Sequence, residues 1–288
     1  SRCMSAARPP LAVAALQYCA AGTAEETLAT LLPMIDRAAG EGAKLICLPE
    51  AATFLAASRG ALADEAEPAD ESPTLDKLCG RAAALGVSLS VGSIFFLAED
   101  GRHVNRQLLI GPDGTVQAEY DKIHMFDANV GDGKSYRESN HFAPGDRMVM
   151  AGIDGIQTGL TICYDLRFPH LYRRLAQAGA KILTIPAAFT FTSGRAHWHV
   201  LLRARAIETG CFVIAAAQCG THADGRRTYG HALIVAPWGE IIAEVPTDDG
   251  NAAAGANDGI IHASLDPAAV DKARAAIPSL ATQPDFSG

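Results

Sequence analysis

Cys163 closes an apolar run at residues 155–162 and is followed by Tyr164-Asp165-Leu166-Arg167-Phe168-Pro169. The run reads as a buried strand. Phe168-Pro169 reads as a helix start, because the missing N–H of proline would go unpaired in a first turn anyway. A thiol at such a junction faces free backbone N–H groups and the positive end of a helix dipole. Both lower a thiol pKa and can hold a developing oxyanion. The competing reading of Cys163 is a small buried hydrophobe. Glu50 and Lys122 share its setting, since Glu50 follows Leu45-Ile46-Cys47-Leu48-Pro49 and Lys122 follows a strand ending in Tyr120-Asp121. Ligands collect beyond strand ends in open α/β sheets, so the three side chains are candidates for one pocket. An ion pair of Glu50 with Lys122 at a sheet rim, with no chemistry attached, is the alternative.

Brought together, each group has a task. A carboxylate beside a thiol takes its proton as sulfur attacks a carbonyl, provided partial burial raises the acid's pKa toward neutrality. An ammonium held near the same carbon stabilises the anionic oxygen of the tetrahedral intermediate. A backbone N–H just after the nucleophile does the same. Glu–Lys–Cys is therefore a complete set for transferring an acyl group to water.

The elements that must position these groups alternate between strand and helix. Residues 11–17 read as a first strand. Thr23 and Glu26 have capping-box spacing and open a helix whose apolar face includes Leu28, Leu31, Ile35 and Ala39. Pro33 falls inside that pattern and is expected to kink or interrupt it. A short buried strand at 44–48, a helix at 74–85 and a strand at 87–96 follow. Strands at 105–110 and 115–120 flank Gly111-Pro112-Asp113-Gly114, a hairpin signal. Residues 123–147 are polar and Gly-rich with little periodicity, which predicts a site loop. After Cys163 come a helix to about residue 178, a strand at 181–185 and a helix at 196–209. Strands at 211–217, 229–235, 240–245 and 260–265 complete the pattern. Such alternation, with hairpins added, predicts an α/β layered protein with mixed sheets.

The chain has 288 residues, no dividing linker and no fixed-period repeat. Residues 11–288 are expected to form one domain behind a disordered or expression-derived segment at 1–10, with 248–257 a flexible excursion. Hydrophobic residues make up 49% and charged residues 19%, the balance of a globular chain. The net charge of −8, with no basic stretch, disfavours nucleic acid and anionic membranes as partners. No apolar run approaches the roughly 18–20 residues of a membrane-spanning helix. Seven scattered cysteines without a C-x-x-C predict free thiols in a reducing cytoplasm.

Other signals carry less. Gly131-Asp132-Gly133-Lys134-Ser135 looks like the end of a phosphate-binding loop, but Ala128 stands where its first glycine belongs. His197 and His199 point to different faces of a helix, and no H-E-x-x-H or Cys/His cluster exists, so no metal is expected. Trp198 and Trp238 read as packing residues. Cysteine–histidine chemistry through His124 or His170 is the rival nucleophilic scheme, without a local signature of such proteases.

Leu48-Pro49-Glu50, Tyr120-Asp121-Lys122-Ile123-His124 and residues 162–169 together resemble the three signature regions of the nitrilase superfamily of carbon–nitrogen hydrolases. Their order and wide spacing match as well, and the resemblance extends from about residue 11 to residue 266. The run at 196–209, Ala215-Ala216-Ala217-Gln218-Cys219-Gly220, Tyr229-Gly230-His231 and Pro237-Trp238-Gly239 are similar to its Nit branch. They look closest to the type whose members hydrolyse deaminated glutathione to 2-oxoglutarate and cysteinylglycine. The ω-amidases acting on 2-oxoglutaramate are the nearest sibling.

The resemblance implies an αββα sandwich and a cytoplasmic, cofactor-free amidase for a small-molecule substrate. It implies subunits paired through the helices after Cys163 and around Trp198, as a homodimer or a higher homo-oligomer. Cys163 is then the nucleophile, Glu50 the base, and Lys122 with the Tyr164 N–H the oxyanion donors. Glu138 joins as a second carboxylate, and Arg167 and Phe189 as contacts for substrate carboxylate and keto groups; a structural ion pair is the other reading of Arg167. The stretch Gly131-Asp132-Gly133-Lys134 departs from the family pattern, which leaves substrate size open. An N-carbamoyl or nitrile hydrolase and a non-catalytic interaction protein are the remaining alternatives.

Overall fold

Period-two alternation along the strands divides the core into three apolar spaces. In the strand Leu11–Tyr18, Ala14, Leu16 and Tyr18 face one space while Leu11, Val13 and Ala15 face another. In Phe212–Ala215, Phe212 and Ile214 share the second space, and Val213 and Ala215 turn into a third. Helices Ala24–Gly40 and Pro73–Leu85 fill the first with Leu28, Leu31, Ile35 and Leu78. Helices Pro169–Gln177 and Phe191–Thr209 fill the third with Tyr172, Leu175, Trp198 and Leu202. The middle space is packed almost wholly by strand residues. The computed structural model, which describes residues 9–247 and 255–282, is thus an αββα sandwich, as the alternation and the resemblance predict.

The first sheet runs Arg227–Tyr229, Ala217–Thr221, Leu11–Tyr18, Leu45–Cys47, Ser88–Leu97, His103–Ile110, Val116–Asp121, with Gly259–Leu265 antiparallel on Leu11–Tyr18. The second runs Val149–Ile153, Ile156–Leu160, Ile182–Thr184, Phe212–Ala215, Leu233–Val235, Ile241–Glu244. At the centre of each lies a parallel ladder: Leu11–Tyr18, Leu45–Cys47 and Ser88–Leu97 in one, Ile156–Leu160, Ile182–Thr184 and Phe212–Ala215 in the other. Parallel strands are buried on both faces, which is why their sequences are nearly continuous apolar runs. Glu50 stands three residues beyond Cys47, and Cys163 three beyond Leu160, so each lies past the carboxyl end of a parallel strand.

Several expectations are corrected. Pro33 does not interrupt its helix, which runs unbroken from Ala24 to Gly40. Pro33 and Ala29 are both exposed, so the carbonyl freed by the missing N–H faces water, while Leu28, Leu31 and Ile35 keep the buried face intact. The expected strand at 211–217 is two strands in different sheets, Phe212–Ala215 and Ala217–Thr221. The one at 229–235 divides in the same way into Arg227–Tyr229 and Leu233–Val235. The polar loop at 123–147 contains a small hairpin, Asp127–Asn129 with Ser135–Arg137, and a 3₁₀ turn at Glu138–Asn140. Helices Arg59–Glu65 and Pro267–Ala276 were not expected, and the long helix starts at Phe191 rather than at 196. Of the segment expected to precede the domain, residues 1–8 lie outside the described residues. So do 248–254 of the expected excursion; 255–257 form a turn.

Candidate active site

Both strand ends are crowded where they meet. Gly92 sits between them, and a side chain there would run into the carbonyl oxygens of Leu48 and Pro49 and the ring of Pro186. Only glycine permits that approach. On one side of the junction Ala51 adopts φ of +53°, its N–H held at 2.8 Å by Ser93 Oγ. Gln218 Nε2 donates to the carbonyls of Glu50 and Ala51, each at 3.1 Å. On the other side Cys163 has φ of +48°, and its N–H donates to Pro186 O at 2.9 Å. Non-glycine residues in this region cost about 1–3 kcal/mol, and persist where the surroundings over-determine them.

The Lys122 segment is tied to the Cys163 segment by one fully buried carboxylate. Asp165 accepts from Tyr120 Oη (2.7 Å), Ile162 N (2.9 Å) and His124 N (3.2 Å), and pairs with His124 Nδ1 at 2.7 Å. Tyr120 and His124 bracket Lys122, so these bonds set the lysine's distance from the thiol. Arg205, itself buried, donates to Leu166 O at 2.7 and 2.9 Å and holds the end of the same turn.

Four side chains meet in the cleft so formed. Lys122 Nζ, 2% exposed, lies 3.1 Å from Glu50 Oε1 and 2.8 Å from Glu138 Oε2. Glu50 Oε2 accepts the Ala188 N–H at 2.8 Å, and the same carboxylate faces the Cys163 thiol closely enough to perturb it. Glu138 Oε2 also takes the Phe126 N–H at 2.6 Å. Asn105, buried, donates from Nδ2 to both carboxylates, to Glu50 Oε1 at 3.0 Å and to Glu138 Oε1 at 3.3 Å. A cavity of about 570 Å³ opens on this cluster, lined by Glu50, Lys122, Glu138, Cys163, Tyr164 and Phe189 among others.

The electrostatics correct two expectations. Burial pushes the Cys163 thiol well above its ordinary range, and the charge and hydrogen bond of Glu50 add to it; Lys122 and the Ala188 N–H act in the opposite sense. The helix whose dipole was expected to lower it starts only at Pro169, and Cys163 opens a 3₁₀ turn, Cys163–Arg167. Burial also raises the Glu50 pKa, but Lys122 and the hydrogen bonds from Cys163, Ala188 and Lys122 outweigh it, leaving Glu50 below its ordinary 4.5. The base is therefore a carboxylate at neutral pH without any upward shift. Lys122 stays an ammonium: burial lowers its pKa, and Glu138, Glu50 and Cys163 together raise it further than burial lowers it. The resting pair is a neutral thiol beside a carboxylate.

Of the residues singled out in the sequence, Glu50, Lys122, Glu138 and Cys163 come together, with Tyr164 and Phe189 on the cavity wall. Arg167 is not among the cavity-lining residues. Its guanidinium lies 5.1 Å from the Phe189 ring centre, and Nη1 contacts His197 Nδ1 at 3.1 Å. His124 is engaged by Asp165 and stacks on Phe168 at 3.6 Å, and the groups that perturb the thiol are Glu50, Lys122 and Ala188 rather than a histidine. Asn105, Asp165 and Gln218 were missed. Asp165 and Gln218 are single polar residues in or beside apolar runs, and Asn105 opens the polar stretch Asn105-Arg106-Gln107 of a strand, so each is visible in the sequence but has no partner until the fold supplies one.

Residues 12–275 match the model of the carbon–nitrogen hydrolase family, and the chain belongs to that family. It is 40% identical over 275 residues to a deaminated glutathione amidase of Synechocystis, an alignment covering 94% of this chain and 97% of that one. A mouse deaminated glutathione amidase is 40% identical over 240 residues, covering 80% and 73%. Among solved structures, the NitFhit protein of C. elegans superposes with a TM-score of 0.87 at 31% identity. That match covers 96% of this chain and 66% of that one. Nit3 of Saccharomyces cerevisiae, a member of branch 10 of the nitrilase superfamily, gives 0.81 at 27%, covering 94% and 96%.

Proposed function

We propose that this carbon–nitrogen hydrolase cleaves the amide of deaminated glutathione, releasing 2-oxoglutarate and cysteinylglycine through a thioester on Cys163. The observation that carries the reading is the buried cluster in which one ammonium touches two carboxylates on the cavity that the Cys163 thiol lines. The substrate is taken from the relatives bearing that name.

The thiol enters protonated. As sulfur approaches the amide carbon its proton passes to Glu50, so no free thiolate has to accumulate in a buried site. Negative charge grows on the substrate oxygen, which Lys122 and the Tyr164 N–H receive. The proton now on Glu50 passes to the leaving amine nitrogen as the C–N bond breaks. Water, deprotonated by the regenerated carboxylate, then attacks the thioester, and the thiol recovers its proton. Splitting one amide hydrolysis into two acyl transfers lowers each barrier. Glu138 orients the lysine and the substrate amide. Phe189 and Arg167 take the keto-acid end, the guanidinium turning from His197 toward the cavity. Residues 11–288 act as one domain, and the protein works in the cytoplasm as a homodimer or larger homo-oligomer, paired through the helices Pro169–Gln177 and Phe191–Thr209. Among the described residues no helix is long and apolar enough to cross a membrane.

The test is kcat/KM on deaminated glutathione, 2-oxoglutaramate, an N-carbamoyl amino acid and a simple nitrile. Preference for 2-oxoglutaramate moves the protein to the ω-amidase reading. Turnover of none of them leaves the interaction-protein reading.

A further inference from the structure

His199, His231 and Glu244 come from three separate elements and converge away from the catalytic cavity. His199 lies on the helix Phe191–Thr209, His231 between the strands Arg227–Tyr229 and Leu233–Val235, and Glu244 at the end of Ile241–Glu244. Their potential ligand atoms all lie within 4.8 Å of one another. His199 Nε2 is 2.8 Å, and His231 Nδ1 2.7 Å, from the same oxygen, Glu244 Oε1. The three side chains are 30%, 19% and 29% exposed, so each is half-sheltered and still reached by solvent.

We propose that these residues form a site for a divalent transition metal of the zinc class. Two neutral imidazoles and one carboxylate, with a fourth position open to water, are the donor set such ions take with three protein ligands. Each ring coordinates through the nitrogen it already aims at Glu244 and carries its proton on the other one. The rings are held before any ion arrives. The Trp198 indole N–H donates to His231 O at 2.9 Å, the His231 N–H donates to Thr247 Oγ1 at 3.0 Å, and Tyr229 stacks on the His231 ring at 4.4 Å. Coordination needs only a small opening, because metal–ligand bonds near 2.0–2.1 Å set donors about 3.3 Å apart in a tetrahedron.

The ion would act on the fold and, through it, on the cavity wall. It would join the long helix to the last two strands of the second sheet, next to Trp198. The Trp198 ring packs on Phe189 at 5.1 Å, and the Tyr229 N–H donates to Phe189 O at 2.9 Å. A local motif search misses the site because its ligands stand at 199, 231 and 244. His197, the other half of the conspicuous His-Trp-His, takes no part and contacts Arg167 instead.

The experiment titrates chelator-treated full-length protein with Zn²⁺ by calorimetry and with Co²⁺ by visible absorption. Wild type and Cys163→Ala are expected to bind one ion per chain with the same affinity, with a cobalt spectrum lacking the thiolate charge-transfer bands. His231→Ala, His199→Gln and Glu244→Gln should each weaken binding more than about tenfold. Zn²⁺ should raise the Tm of wild type and not that of these variants. Loss of the ion in Cys163→Ala, a thiolate band in the cobalt spectrum, or undiminished binding in the folded His199→Gln and Glu244→Gln proteins would each overturn the proposal. So would failure of wild type to bind.

Discussion

Replacing Lys122 with Met removes the one cation from a buried cluster that holds two carboxylates, and the consequence can be worked out from the contacts. Lys122 is 2% exposed, 3.1 Å from Glu50 and 2.8 Å from Glu138, and Asn105 is a neutral donor to both acids. Truncating one partner of a buried ion pair costs about 3–5 kcal/mol, because the remaining charge is left uncompensated. A methionine fills the volume of the stem, so the loss is electrostatic rather than a cavity. The cluster has one escape, which is to take up a proton: two carboxylates without their ammonium cannot both stay ionised cheaply.

That escape has a sign. In the wild type Glu50 titrates below its ordinary 4.5, so its contribution to stability is present above about pH 4.5 and is lost as pH falls through the folded value. In Lys122→Met the pair's pKa is raised above the unfolded value. Its proton-bound form is then tolerated in acid, and stability is lost as pH rises through the new pKa. The stability gap between the two proteins should therefore be widest near about pH 8 and narrow toward about pH 5. Urea unfolding at a series of pH values measures the gap directly. In parallel kcat should fall by at least about two orders of magnitude, the scale of losing an oxyanion donor. A gap below about 1 kcal/mol, as for an exposed pair, or one that does not change with pH, would refute the view that Lys122 neutralises both acids.

Cys163→Ala should abolish turnover and shift folding free energy by less than about 1 kcal/mol, since the thiol is a small group; intact-mass spectrometry should find an acyl adduct on the wild type and none on the variant. Glu50→Gln should lower kcat by at least about 100-fold, and a change confined to KM would show that Glu50 only binds substrate. Asn105→Asp places a third carboxylate against Glu50 and Glu138, so the acid limb of the kcat/KM profile should move to higher pH, whereas an unshifted profile with uniformly lower activity would mean Asn105 serves only the fold. Arg167→Lys should lose more kcat/KM on keto-acid amides than on an uncharged amide, because lysine cannot offer two parallel hydrogen bonds to a carboxylate; equal losses would make Arg167 structural.

What the sequence made legible, and what it hid, follows from the range of the interactions involved. Glu50, Lys122 and Cys163 could be singled out because each lies within three residues of a strand's end, and strand ends are local features. Glu50 and Cys163 converge because two parallel ladders meet with their carboxyl ends at Gly92, Lys122 is brought to them by the ties of Tyr120 and His124 to Asp165, and the resemblance supplied Glu138, which no local pattern marks. The strand at 211–217 was misread because both halves are apolar. The switch between sheets at Ala216 is set by partners at Leu233–Val235 and Leu11–Tyr18, not by any residue that breaks a strand. The thiol's electrostatics were misread for the same reason in reverse. A local argument from the helix start is sound for the first turn of a helix, but Cys163 opens a 3₁₀ turn six residues ahead of Pro169, and what governs it is burial, with the charge of Glu50, more than a hundred residues away, adding to it. Asn105 and Asp165 make the point most sharply. Alone, an asparagine in a strand and an aspartate in an apolar turn are costs to folding. They are tolerated because one bridges two catalytic candidates and the other locks the lysine strand to the cysteine turn, so a buried polar residue lacking a local partner is itself a pointer toward the site.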